Sequence, residues 1–327
     1  MLTIVSTMST TDIMNSPYWI VLQDGRKGTD GQAVGLAEAM GVPYTLCNVR
    51  LPIWQRAISP LLIRNWVANA LYESYRTPPV GVIGTGHRAT YGLLAASYRW
   101  SGVHTIQIEN THINAGHFTY VVAPEHDQLE GRNVISTLGS LQRITPSKLA
   151  DARAQWQEKL SRYAAPRVAV LIGGNNKYVR LHTDWADDVI AKLYALIDRG
   201  MSVFITISRR TPEALVQRFR RAFPHPNVWF WDGVGDNPYF GFLAYADRIL
   251  VTADSVTMIS EALATEVPVA LLRMPGEGRK FTRFYDALFA AGQTHWYDGD
   301  WKITARARLQ ETERVAALLR EKLGIVG

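Results

Sequence analysis

Short runs rich in Val, Ile, Leu and aromatic residues alternate with longer amphipathic stretches from Tyr18 almost to the end of the chain. That alternation constrains the fold more than any other feature. In the first half the strand candidates are "YWIVLQ", "YTLCNV", "VGVIGT", "HTIQIE", "FTYVVAP" and "NVISTLG". In the second they are "RVAVLIGG", "SVFITIS", "VWFWD", "DRILVTA", "VPVALLRM" and "THWYD". Helical patterning falls at 31–41, 88–99, 147–163, 183–199, 211–223, 257–265, 281–291 and 305–323. Strands separated by helices of about 10–15 residues are βαβ units, which build parallel sheets covered by helices.

The alternation pauses once, at the polar helix "TPSKLADARAQWQEKLSRYAAP" between Pro146 and Pro166. With 327 residues there is room for two domains. The expected division is a loose tail over 1–16, an N-terminal Rossmann-like domain over 17–145 and a linker helix over 146–166. A C-terminal Rossmann-like domain follows over 167–304, then a C-terminal helix over 305–327. The expected fold is therefore α/β, two doubly wound domains with a cleft between them. Apolar content of 47% and charged content of 20% suit a globular chain. The net charge of +6 suits anionic small molecules or an acidic membrane surface, and no basic run resembles a nucleic-acid arm. One cysteine, Cys47, excludes an internal disulfide and a cysteine zinc site. No Lys or Arg precedes Arg26, so the start lacks the basic residues of a secretory signal or transit peptide. A cytoplasmic protein is the expectation.

Polar and glycine residues gather where strands end, which is where open α/β sheets bind ligands. After the first strand, "LQDGRKGTDGQ" offers Gly25, Gly28 and Gly31 as a turn before a helix at Gln32, with Asp24 a candidate general base. It is not a P-loop, because Lys27 precedes the second glycine. In "VIGTGHRAT", Gly84, Gly86 and Ala89 fit G-x-G-x-x-A, and Glu109 ends the next strand. That pattern hints at a dinucleotide, but two strands precede it and no Tyr-x-x-x-Lys pair exists. His87 is a second candidate base, or a satisfied loop histidine.

The second half holds the denser set. In "LIGGNNKYVRL", Gly173 and Gly174 allow close backbone approach, Asn175 and Asn176 donate or accept, and Lys177 is a charge suited to phosphate. "TISRRTP" places Arg209 and Arg210 at a strand end, where bidentate phosphate recognition is within reach. In "TADSVTMISEALATEVPVALL", Asp254 and Ser255 end a strand, and Ser260 and Glu261 are expected in the first turn of a helix near Met258. A carboxylate there accepts from vicinal hydroxyls such as a ribose presents; a capped helix is the plainer alternative. "RMPGEGRKFTRF" puts Arg279, Lys280 and Arg283 at a helix start, where cations oppose the dipole unless an anion binds. "WDGVGDNPY" at 231–239 is long for a connection and suits packing against a base. No cluster has metal spacing. The segment 51–72, with Trp54, Arg56, Arg64 and Trp66, reads either as a helix on the sheet or as a face resting on a membrane interface.

Five of these stretches, "DGRKGTDGQ…GLAEAMG", "VVAPEHD", "LIGGNNKY", "ISRRTP" and "VTADSVTMISEALATEVPV", occur in order between Tyr18 and Leu288. Together they resemble the family of the plant elongated-mitochondria fission factor, which has bacterial members. The resemblance implies a GT-B glycosyltransferase-like architecture with the donor site on the second domain. It places "GGNN" at the donor diphosphate and Ser260 and Glu261 at the ribose. An Arg is common at the His87 position in that family, which weakens His87 as a shared base. The expectation is a metal-independent transferase without a cofactor, whose substrate is a nucleotide sugar and whose acceptor is an envelope or lipid-linked glycan at the inner membrane. Lys280, Arg209 and Arg210 would join "GGNN" on the leaving diphosphate. The alternative is a non-catalytic interaction factor, since the plant member is linked to mitochondrial division. A third reading is an NAD-dependent nucleotide-sugar epimerase, a label given to bacterial members that the missing Tyr-x-x-x-Lys pair opposes.

Overall fold

The computed structural model describes residues 17–25, 27–49, 58–73, 75, 77–276 and 278–325. They form two compact units. One comprises the chain up to Arg143 together with Gln310 onward; the other spans Ile144–Leu309.

The first unit is a parallel six-stranded sheet in the order β2-β1-β3-β4-β5-β6. Its strands are β1 (Trp19–Gln23), β2 (Tyr44–Asn48), β3 (Gly81–Thr85), β4 (His104–Ile108), β5 (Tyr120–Pro124) and β6 (Val134–Thr137). Ile20, Val21, Val82 and Ile83 are fully buried, as the centre of a sheet covered on both faces requires. The helices are α1 (Lys27–Ala39), α2 (Pro60–Tyr72) and α3 (Gly86–Arg99). The strand order reverses at β1, so the carboxyl ends of β1 and β3 flank the switch point where such sheets bind ligands.

The second unit opens with α4 (Pro146–Leu160). This helix, expected as a passage between domains, packs within the unit. The Trp156 ring meets Trp229 edge-on at 5.8 Å, and a Cβ on Gly241 would come within 2.6 Å of the Trp156 ring. The sheet that follows is parallel, in the order β11-β10-β7-β8-β9. It contains β7 (Arg167–Ile172), β8 (Ser202–Ile207), β9 (Val228–Trp231), β10 (Arg248–Thr252) and β11 (Val269–Leu272). Counted from its own first strand, this is the order of a dinucleotide-binding sheet, with the switch point between β7 and β10. The helices are α5 (Thr183–Asp198), α6 (Glu213–Ala222), α7 (Tyr239–Tyr245), α8 (Val256–Leu263) and α9 (Arg279–Ala290).

Four further sequence expectations change. "THWYD" is not a strand; Trp296 makes one bridge to Leu271. The final helix, α10 (Glu311–Leu323), begins six residues later than 305. Before it, Arg306 donates to the carbonyl oxygens of Leu263 (2.8 Å), Thr265 (2.8 Å) and Val267 (3.1 Å), which holds that stretch extended on the second unit. α10 itself belongs to the first unit, where Arg320 donates to Met40 O at 2.6 Å. Third, α1 begins at Lys27 and absorbs Gly28 and Gly31, so of the expected glycine turn only Gly25 (φ +84°) is one. Asp30 reaches back to accept from Asp24 N (2.9 Å) and Gly25 N (3.1 Å), ordering that turn. Fourth, α8 begins at Val256 because Ser255 Oγ accepts from Met258 N at 3.3 Å. Glu261 therefore stands in the second turn, beyond the reach of the helix-start dipole.

Candidate functional site

The carboxyl edge of the second sheet is joined around Asp254, which follows β10. Its side chain is buried. Oδ2 accepts from Gly174 N (3.0 Å) and from Arg210 Nη2 (2.7 Å), and Oδ1 accepts from Thr252 Oγ1 (2.7 Å). One carboxylate thus ties the loops after β7, β8 and β10 together. Charge-assisted bonds of this kind are about twice as strong as neutral ones. Further bonds close the knot. Thr211 Oγ1 donates to Gly173 O (2.6 Å), Asn175 N to Arg210 O (3.0 Å), and Gly173 N to Thr252 Oγ1 (2.7 Å).

This packing explains the double glycine. A Cβ on Gly173 would lie 1.9 Å from Asp254 Oδ1, and one on Gly174 would lie 2.1 Å from the Arg210 backbone. Neither φ requires glycine; the close approach of three loops does. The two asparagines are spent on shaping the loop. Asn175 Oδ1 accepts from Leu181 N (2.8 Å), and Asn176 Oδ1 accepts from Tyr178 N (2.7 Å) and Val179 N (2.9 Å). Asn176 Nδ2 donates to Asp254 O (3.2 Å). The exposed rim of the same edge is cationic. Lys177 lies over the Tyr178 ring at 4.6 Å, Arg209 is exposed, and the Arg210 side chain is 43% exposed although it is paired. The loop after β11 closes on this edge as well, since a Cβ on Gly276 would lie 2.3 Å from Tyr178 O. That contact brings the start of α9, with exposed Arg279, Lys280 and Arg283, beside the loop after β7.

The α8 residues divide. Ser255 caps the helix, and Ser260 is buried with its Oγ donating to Val256 O at 2.8 Å. Glu261 is partly exposed and accepts from Tyr239 Oη at 2.6 Å. Burial pushes its carboxyl up to about 7, against the lowering effect of the Tyr239 bond. The same burial, with the neighbouring carboxylate, pushes the Tyr239 phenol well above its ordinary value. Sequence reasoning missed Tyr239, Thr211 and Thr252. Tyr239 ends the turn-rich "WDGVGDNPY" and begins α7, a seven-residue helix too short and too uniformly apolar to show a period.

Asp24 and His87 lie in the first unit, at the ends of the adjacent strands β1 and β3. Asp24 is half-buried, its carbonyl accepting from Arg88 Nη1 at 3.3 Å. His87 is exposed and packs edge-on against Tyr91 at 5.5 Å. The G-x-G-x-x-A pattern has a packing cause here. A Cβ on Gly84 would lie 2.6 Å from Ala89 Cβ, and Gly86 has φ +75°. Glu109, at φ +70°, accepts from Gln32 Nε2 at 2.9 Å. Arg26, residues 1–16, and Trp54 and Arg56 within 51–57 lie outside the described residues. Among the described residues no group of His, Cys, Asp and Glu is arranged to hold a metal, and no helix is long and apolar enough to cross a membrane.

Three comparisons bear on this arrangement. Residues 27–323 match the model of the family described as mitochondrial fission ELM1. A mitochondrial fission protein of Arabidopsis thaliana is 28% identical over 295 residues, covering 80% of this chain and 68% of the relative. An uncharacterized protein of Rickettsia prowazekii is 24% identical over 302 residues, covering 79% of this chain and 83% of its own. Among solved structures, a UDP-GlcNAc 2-epimerase of Neisseria meningitidis bound to UDP-GlcNAc superposes with TM-score 0.55 at 13% identity, over 94% of this chain and 99% of that one. The MurG of Acinetobacter baumannii gives TM-score 0.53 at 12% identity, over 94% and 100%. At such identities the likeness is one of fold, and the fold is the GT-B type.

Proposed function

The chain belongs to the mitochondrial fission ELM1 family, and from that premise we propose that it is a metal-independent GT-B-type transferase acting on a nucleotide-activated sugar. The observation that carries the reading is the knot at the carboxyl edge of the second sheet, where Gly174, Arg210 and Asp254 meet at the switch point. In this reading Asp254 positions Arg210 and does not itself touch the donor. The exposed part of the Arg210 guanidinium, with Arg209, Lys177 and Lys280, holds the leaving diphosphate. Electrostatic stabilisation of the departing anion is the largest single contribution to such a transfer. Glu261 accepts from the ribose hydroxyls in exchange for, or beside, the Tyr239 bond. Asp24 is the proposed general base for the acceptor, with His87 as the second candidate. Two relatives of the fold are described as UDP-GlcNAc 2-epimerase and as MurG, which supports a nucleotide-sugar ligand class. The acceptor proposed is an envelope or lipid-linked glycan at the cytoplasmic membrane face.

A thermal-shift panel of nucleotide sugars, followed by titration of the best ligand, tests the donor. A ligand at a hundred times its Kd adds about 2.7 kcal/mol of stability, which is readily seen. Arg210→Ala and Glu261→Gln should each weaken binding by about 10-fold or more. A panel without any response sinks the transferase reading.

The alternative is a recruitment factor on the same scaffold. The name of the Arabidopsis relative favours it, as does the degree to which Asn175, Asn176 and Asp254 are committed to internal bonds. It predicts an unchanged melting temperature with every donor.

A further inference from the structure

In the first unit, β3, α3 and β4 make one βαβ unit, and G-x-G-x-x-A lies across its turn. Gly84 belongs to β3, Gly86 opens α3 and Ala89 follows in the first turn. β4 pairs in parallel with β3, with Thr85 opposite Ile108, so Glu109 stands at the carboxyl end of the neighbouring strand. Two strands precede this pattern in the chain, which in sequence counts against a dinucleotide turn. In the sheet they do not intervene. The order β2-β1-β3-β4 puts both on the far side of β3 from β4. α1 covers one face of the sheet and α3 the other. β3 therefore stands at the switch point, with α3 leading away from it to β4. That is the place of the glycine turn and of the acidic residue in a dinucleotide-binding unit.

Packing accounts for Gly84 and Ala89, and for nothing else at this turn. Gly86 takes φ +75°, although a Cβ there would meet nothing closer than Glu109 Oε2 and Thr29 Cγ2, both at 3.5 Å. α3 starts without a side-chain cap or an acidic residue, and its first turn carries exposed His87 and half-buried Arg88. Such a helix start attracts an anion. The second observation is a pair of buried oxygens that have no hydrogen-bond partner among the described residues. Gln32 is 2% exposed; Glu109 fixes its amide through Nε2 at 2.9 Å, which leaves Oε1 beside that carboxylate and unpartnered. Thr85, the middle residue of G-x-G, is 3% exposed and its Oγ1 is unpartnered too. It alternates with Ile83, which packs in the core that includes α1, so Thr85 faces the same side of the sheet as Gln32. Buried polar atoms are seldom left in this state. A carboxylate and an amide oxygen only accept, so the missing group is a donor, while the helix start beside them calls for an anion. Ribose hydroxyls joined to a diphosphate supply both.

We propose that the turn between β3 and α3 binds a dinucleotide, with its diphosphate on the start of α3 and one ribose on Glu109 and Gln32. The Glu109 carboxylate repels a 2′-phosphate on that ribose, so the site prefers the unphosphorylated dinucleotide. The inference goes beyond the proposed function and does not rest on it, because the donor edge belongs to the other unit.

The test is titration of the full chain with NADH, followed by the fluorescence of the reduced nicotinamide, and the same titration with NADPH. Saturable binding of NADH is expected, with NADPH weaker by about 10-fold or more. Glu109→Gln should weaken NADH binding by about 10-fold or more. His87→Asp changes an exposed residue. An acid there favours the start of α3 but repels a diphosphate, so binding should fall by about 10-fold while the melting temperature holds or rises. A purely structural role for the turn would not separate the two readouts. Where Glu109→Gln fails to fold, His87→Asp carries the test. Arg210→Ala, in the second unit, should bind NADH as the wild type does. No saturable NADH binding by the wild type overturns the proposal. So does NADH binding that Arg210→Ala removes, or that folded Glu109→Gln and His87→Asp both retain in full. Nucleotide-sugar binding is measured separately, so the failure of either site leaves the other standing.

Discussion

Asp254 and Glu261 are neighbours in sequence with opposite roles. Asp254 is a buried carboxylate with three donors, and removing it leaves Gly174 N without its acceptor, while Thr252 Oγ1 keeps Leu171 O at 3.3 Å. Asp254→Ala should cost about 2–4 kcal/mol, less than a fully buried pair because Arg210 can return to water. Urea unfolding measures it. Glu261 behaves in the other direction. Its folded value near 7 lies above the ordinary carboxylate range, so the native state binds its proton more tightly than the unfolded chain. This contribution to stability is therefore full below about pH 4.5 and is lost as pH rises through about 7. The side chain keeps some exposure, so the expected loss is about 1–3 kcal/mol. The difference in unfolding free energy between wild type and Glu261→Gln, followed from pH 5 to pH 8, isolates this contribution from other carboxylates. A flat difference would show that Glu261 is ionised throughout. A ligand whose hydroxyls bond the carboxylate should also release protons when it binds near pH 6, visible as buffer-dependent binding enthalpy.

At the scale of elements, the alternation of apolar runs with amphipathic ones made both sheets legible, because parallel strands buried on two faces must be apolar almost throughout. The glycine pair in "LIGGNNKY" and the arginines in "ISRRTP" were legible as one neighbourhood, since both end strands of one sheet. Helix starts were less so. The sequence placed the start of α8 near Met258, and the bond from Met258 N to Ser255 Oγ sets it at Val256. Ser255→Ala should cost about 1 kcal/mol and fray α8, which circular dichroism with thermal melting can follow. The stretch 305–310 looks helical by composition, yet Arg306 spends its donors on carbonyls of the second unit. No local pattern announces such a bond. The partner of Glu261 was hidden for the same reason, because Tyr239 comes from the loop after β9 and its contact is set by the sheet. Gly174→Ala tests how tightly the loops are drawn together. Its Cβ has no room beside the Arg210 backbone, so a loss of about 1–3 kcal/mol is expected, together with weaker donor binding.

At the scale of the whole molecule, each unit has its own sheet and core, and α10 completes the first. Val315, Ala316 and Leu319 are buried there, and Thr312 Oγ1 donates to Gln142 O at 3.0 Å. Deleting the chain from Gln310 onward should destabilise the first unit by about 5 kcal/mol, from the burial of these side chains alone. It should leave the second unit, whose Arg306 bonds remain, able to fold and to bind nucleotide. The central claim concerns that second unit: its carboxyl edge is built to take a nucleoside diphosphate. Titration calorimetry with nucleoside diphosphates, on wild type and on Arg210→Ala, tests it most directly. Saturable one-to-one binding that weakens by about 10-fold or more in the variant is the predicted result. No saturable binding of any nucleoside diphosphate, or equal affinity in the two proteins, would contradict it.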